Sequence, residues 1–109
     1  MSYHDWQIEK SKITDYLLNE RHPQGKAKAL WFQSHGFHRK KWRVLSNSIR
    51  ALLENRESEV MTKSPFGYRI VIRGTIPTPQ GNTVRIVTVW QRDRQTLAPR
   101  LITAYPERR

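Results

Sequence analysis

Cysteine is absent from this sequence. Neither a disulfide framework nor a thiolate metal site can be built, which fits a reducing compartment. Long apolar runs are also absent. No stretch approaches the ~20 apolar residues of a membrane span, and the opening MSYHDWQIEK has no apolar signal core. A cytoplasmic chain that stays out of the membrane is therefore expected. The glycine patterns GxGxxG and GxxxxGK[ST] do not occur, so no nucleotide cofactor, and no other cofactor, is expected. No paired carboxylates occupy a cleft-like arrangement, which argues against a glycosidase and against a two-metal nuclease. Histidine is limited to His4, His22, His35 and His38. The last two are three residues apart, but Gly36 breaks a helix between them and no carboxylate cluster joins them, so no metal site is expected.

Acidic residues are scarce as well. Nine Asp and Glu face 20 Lys and Arg, a net charge of +11. The excess is even along the chain: residues 1–57 hold 11 basic and 6 acidic side chains, residues 58–109 hold 9 and 3. A basic tail on a neutral body would be lopsided, so the folded body itself is positive. Such a body suits a polyanion, RNA first among them. A length of 109 residues allows one domain, 1–109, with one modest core.

Residues 1–11 read as a polar lead-in. Ile13, Tyr16, Leu17 and Leu18 recur at helical spacing, which predicts a short helix over 12–19. His22-Pro23 ends it, because a residue before proline disfavours the α region. A second helix is expected over 24–35, stopped by Gly36. A third is expected over 39–55, where Trp42, Leu45, Ile49, Leu52 and Leu53 form one stripe and Arg39, Lys40, Lys41, Arg43 and Arg50 the other face. From residue 58 the period changes to two. Strands are expected around Val60, over Tyr68–Arg73, Val84–Trp90 and Arg100–Tyr105, with PTPQGN (77–82) as a hairpin loop and RDRQTLAP as a polar connector. The fold class is thus α+β: about three N-terminal helices on one face of a C-terminal antiparallel sheet of about four strands. Ile70 and Ile72 fall on one sheet face, and Arg69, Arg73 and Thr75 on the other. Leu101, Thr103 and Tyr105 are expected to share a face.

The chemistry open to such a chain is metal-free acid–base catalysis on a phosphodiester. RNA brings its own nucleophile, the 2′-hydroxyl. An enzyme need only deprotonate it, hold the phosphate and protonate the leaving 5′-oxygen. His22 is a candidate acid or base, and equally a turn residue whose ring caps backbone groups. Lys28 follows a helix N-terminus, itself an anion site, and reads equally as a solvated helix lysine. Arg100, Thr103 and Tyr105 form either a phosphate-binding edge or an ordinary terminal strand. Trp31, Trp42 and Trp90 read as core before they read as base-stacking platforms. Arg39, Lys40, Lys41, Arg69, Arg73 and Arg85 are candidate nucleic-acid contacts.

Three stretches carry a resemblance: KITDYLLNERHPQGKAKALWFQSHGF (12–37), FGYRIVIRG (66–74) and VTVWQRDRQTLAPRLITAYP (87–106). Together they resemble a family of small bacterial domains of unknown function with the motifs HPxGxxKAxFF and PRLxTAYP, over about residues 12–106. The resemblance implies association with bacterial toxins and a small partner protein. It further implies a distant likeness to the ribonuclease superfamily of barnase, EndoU, colicin nucleases and RelE-type toxins, with the active site on the open face of the sheet. On that basis the expected function is a metal-independent, toxin-type endoribonuclease paired with an acidic antitoxin or immunity protein. The resemblance assigns no roles; those expected of such an enzyme are His22 as acid or base, Lys28 and Arg100 as stabilisers of charge, and Thr103 and Tyr105 as phosphate ligands. The competing expectation is a non-catalytic basic module that binds nucleic acid or a protein.

Overall fold

A computed structural model of the chain describes residues 3–93 and 98–107. Residues 94–97, half of the expected polar connector, lie outside the described residues. Helices precede strands, as expected for α+β. A helical segment runs as α1, Lys10–Lys12, and continues as a π-helical stretch, Ile13–Leu17, closed by the Leu18 N–H reaching back to the Ile13 carbonyl at 2.8 Å. Helix α2 spans Lys26–Ser34. A 3₁₀ turn, Arg39–Lys41, leads into α3, Trp42–Glu54. The sheet is a simple meander in the order β1-β2-β3-β4, all antiparallel. Its strands are β1 Ser58–Ser64, β2 Gly67–Pro77, β3 Thr83–Asp93 and β4 Arg100–Pro106.

The α3 stripe behaves as its period dictates. Leu45, Ile49, Leu52 and Leu53 are buried against Ile70, Ile72, Ile76 and Ile86 of the sheet. The approach is close because position 74 has no side chain: a Cβ there would lie 2.3 Å from Leu52 Cδ1. Trp90 is wholly buried on the same face, and its Nε1–H donates to Thr88 Oγ1 at 2.8 Å. Thr88 in turn donates to the Ile72 carbonyl at 3.0 Å, so two buried polar side chains are satisfied inside the core. The PTPQGN segment closes the β2–β3 hairpin as expected, with Gly81 at φ +88° and the Thr78 N–H bonded to the Asn82 carbonyl at 2.8 Å.

Two expectations are corrected. The expected polar lead-in over 1–11 is not one in its described part, residues 3–11. Trp6 is buried, its ring edge-on to Trp90 at 5.2 Å and tilted against Tyr3 at 4.9 Å. Gln7 forms a parallel bridge beside β4, exchanging backbone bonds with Pro99 and Leu101. Arg50, expected on the solvent face of α3, donates instead to the Trp6 carbonyl at 2.9 Å. The second correction concerns β4. Val89 pairs with Thr103, but the next residue, Trp90, pairs with Leu101, so Ile102 is an extra residue in a bulge. The bulge reverses the alternation. Leu101 and Ala104 enter the core, while Thr103 and Tyr105 turn to the other face.

The Trp6 packing is open to a direct check. Trp6→Ala should lower stability by about 3–5 kcal/mol, the usual cost of removing a buried aromatic. Thermal or urea unfolding measures it, and unchanged melting would mean that the first eleven residues are detachable.

Candidate active site

The face of the sheet away from α3 carries Arg69, Val71, Arg73 and Thr75 from β2, Arg85, Val87, Val89 and Gln91 from β3, and Arg100, Thr103 and Tyr105 from β4. Helix α2 packs beside β4 and walls this face on one side. Between them lies a cleft of about 490 Å³ lined by Lys28, Trp31, Arg73, Val87, Tyr105 and Glu107, among others.

At the α2 wall three side chains meet. Lys28 Nζ donates to Tyr16 Oη at 2.5 Å and to Thr103 Oγ1 at 3.2 Å, and the two hydroxyls are 3.2 Å apart. They come from the π-helical stretch, from α2 and from β4. The HPxGxxK motif explains how they are held. His22 Nδ1 accepts the backbone N–H groups of Gln24 and Gly25, each at 3.1 Å, so the neutral ring carries its proton on Nε2. The same ring stands edge-on to Tyr16 at 4.9 Å. Gly25 presses the turn onto Tyr16: a Cβ there would lie 2.8 Å from the Tyr16 carbonyl oxygen and 3.0 Å from its ring. Three residues on, Lys28 has come round one helical turn and reaches over the Tyr16 ring, 5.0 Å from its centroid, to the hydroxyl. The N-terminus of α2 has no side-chain cap, so its first N–H groups add positive potential to that of Lys28.

Tyr16 is the functional candidate that sequence reasoning passed over. Burial is the largest influence on its phenol and raises the pKa. The hydrogen bonds of Lys28 and Thr103, with the charges of Lys28 and Lys12, together outweigh it, and the pKa falls below the ordinary 10.0. The available signal was its place in the DYLLN segment of the first motif, where helical spacing counted it as an apolar residue.

Of the expected catalytic residues, Lys28, Thr103 and Tyr105 lie at the cleft or its wall, and His22 builds the turn that carries the cluster. Arg100 lies at the far end of β4 on the same face, ion-paired with Asp93. The expected nucleic-acid contacts divide. Arg39 donates to the Thr14 carbonyl at 2.8 Å and pairs with Asp15 at 2.9 Å, which holds the Asp15 carboxyl below its usual pKa. Arg85 is held between Glu57 at 2.8 Å and Glu107 at 2.9 Å, and Arg73 lies 3.7 Å from Glu107. These three are tied to carboxylates and are not free cations. Lys40, Lys41 and Arg69 are exposed. Trp31 lines the cleft and is only half-buried, as is Trp42, while Trp90 is core. Among the described residues no three His, Cys, Asp or Glu side chains converge, and no helix is long and apolar enough to cross a membrane.

The Tyr16 assignment predicts an order of ionisation. Tyr3, raised by burial and by its bond to Glu59, should ionise above 10.0, and Tyr16 below it. Lys28→Met removes the main opposing influence and leaves burial, so the Tyr16 pKa should then rise. A tyrosine titration by NMR checks both. Equal pKa values, or no change in the variant, would contradict the reading.

No curated protein and no solved structure matches the chain. One family does, over residues 2–108, and its span takes in the N-terminal segment that packs Trp6 into the core as well as every residue of the cluster. The chain belongs to that family, a domain of unknown function (DUF6883).

Proposed function

We propose that the chain is a metal-independent endoribonuclease that cuts RNA by transesterification at the Tyr16–Lys28–Thr103 cluster. The observation that carries the reading is the 2.5 Å contact of an ammonium with a phenol at the wall of the cleft. Tyr16, ionised with the help of Lys28, takes the proton of the 2′-hydroxyl. The 2′-oxygen attacks phosphorus, the bond to the 5′-oxygen breaks, and a 2′,3′-cyclic phosphate forms. The leaving oxygen takes a proton from the Lys28 ammonium. A proton then passes from Tyr16 to Lys28 across their contact and resets the site. Thr103 donates to the phosphate or to the phenolate, and the uncapped N-terminus of α2 adds to the positive field. His22 acts as a positioning residue in this scheme, because its Nδ1 already accepts two backbone N–H groups. Tyr105, on the cleft floor, holds the RNA backbone, and Arg100, farther along the strand, reaches it on exchanging its Asp93 partner for a phosphate.

As a toxin, such an enzyme would be held in check by a small acidic antitoxin or immunity protein that covers the cleft. A binding-only module is the second reading. It is favoured by the exposed Lys40, which borders a hollow of about 730 Å³ beside Trp42, and by Lys41, which with Lys40 borders one of about 430 Å³ beside His38.

The two readings part in one assay. Purified protein incubated with RNA in EDTA should yield fragments ending in 2′,3′-cyclic phosphate. Tyr16→Phe or Lys28→Met should slow cleavage by about 10²–10⁴-fold, the usual worth of a positioned acid–base group. Replacing Lys40 and Lys41 by Ala should weaken binding and its salt dependence while leaving cleavage of saturating RNA unchanged. Intact RNA with salt-dependent binding would sustain the second reading and defeat the first.

A further inference from the structure

The strand β1 lies at the edge of the sheet opposite β4, and among the described residues one of its sides has no strand neighbour. An unpaired edge presents a row of free backbone donors and acceptors, and proteins usually blunt it with charge, proline or cover. Here it is not blunted by proline, since β1 reads SEVMTKS. Its large apolar side chains are open to solvent: Val60 is 49% exposed and Met61 53%, and Phe66 in the following turn is 74% exposed.

The sequence of this edge is self-complementary in one arrangement. When two copies run antiparallel with Met61 opposite Met61, Ser58 meets Ser64, Val60 meets Thr62, and Glu59 meets Lys63 twice. Moving the axis to Val60 or to Thr62 breaks both charge pairs. A parallel pairing would set Glu59 against Glu59 and Lys63 against Lys63, which costs free energy. The groups are also free to pair. Within its own chain Glu59 receives Tyr3 at 2.8 Å and Arg56 at 2.9 Å, both on Oε1, which leaves Oε2. Lys63 is exposed and has no carboxylate partner among the described residues. We propose that β1 is a self-association edge, at which two copies of this chain join their sheets antiparallel about a twofold axis at Met61, fixed in register by reciprocal Glu59–Lys63 pairs. The interface is isologous and closed, so it yields a dimer and no fibre. The Lys28 cleft lies beyond β2 and β3 and remains open in both copies, so the inference stands apart from any ribonuclease activity.

The full chain tests it by sedimentation equilibrium over a concentration series. The 13.0 kDa protein should approach twice its mass as concentration rises. E59K alone and K63E alone, each with two like-charge pairs in the register, should remain monomeric. An equimolar mixture of the two should form a heterodimer, because every pair in it is again opposite in charge. A second measurement avoids any loss of the Tyr3 and Arg56 bonds to Glu59. The native chain has no cysteine, and across the axis a Met61 pair lies about 4.5–5.5 Å apart at Cα, within disulfide reach. M61C should therefore oxidise readily to a linked dimer, whereas T62C, which faces Val60, should not. A wild type monomeric throughout, single variants that associate as well as the wild type, a mixture that stays monomeric, or T62C linking as readily as M61C would each overturn the proposal.

Discussion

The approach of the His22–Gly25 turn to Tyr16 is the contact on which the rest of the site depends. No side chain larger than hydrogen fits at position 25, because a Cβ would stand 2.8 Å from the Tyr16 carbonyl oxygen. That closeness sets where α2 begins, and the start of α2 sets where Lys28 emerges. The His22 ring holds the turn from inside by accepting two N–H groups, and it braces the Tyr16 ring with its edge. The sheet supplies the third member: the Ile102 bulge turns Thr103 out of the core and towards Lys28. Without that extra residue, the parity that buries Leu101 would bury Thr103 as well.

Positive charge is distributed less simply than a net +11 suggests. Arg39, Arg73, Arg85 and Arg100 are matched to Asp15, Glu107, Glu57 and Asp93. Most of these pairs are partly exposed and contribute little to stability. They do reduce the cations available to a phosphate backbone. Lys28 differs from them, since its partners are hydroxyls, so its charge is undiminished and bears on the phenol beside it. In the ribonuclease reading, lysines such as Lys40 and Lys41 steer the RNA, and Lys28 takes part in the chemistry.

Much of the fold was legible in the sequence because its periods are regular. The α3 stripe and the Ile70–Ile72 alternation repeat without interruption, and they give the helices, the meander and the buried face. What was not legible has a common cause: each instance rests on a single residue that breaks a period or on a partner far along the chain. Trp6 is one aromatic in a polar stretch and shows no repeat. Ile102 is a bulge in a run, LITAY, that reads equally well as plain alternation. Tyr16 fits the apolar helical spacing, and its hydroxyl gains meaning only through Thr103, 87 residues away. At the site, the motif residues His22, Gly25, Lys28 and Thr103 were visible as a group. His22 has the geometry of its alternative reading, a turn residue whose ring caps backbone groups, because its Nδ1 accepts two backbone N–H groups.

The central claim is that Lys28 makes Tyr16 a base. Its most direct test measures RNA cleavage against pH beside the ionisation of Tyr16 in the same protein. The account predicts that kcat/KM rises with pH as the phenolate forms, with an inflection below 10.0 that coincides with the Tyr16 titration. A rate profile that ignores the ionisation of Tyr16, or full cleavage by Tyr16→Phe, would contradict it.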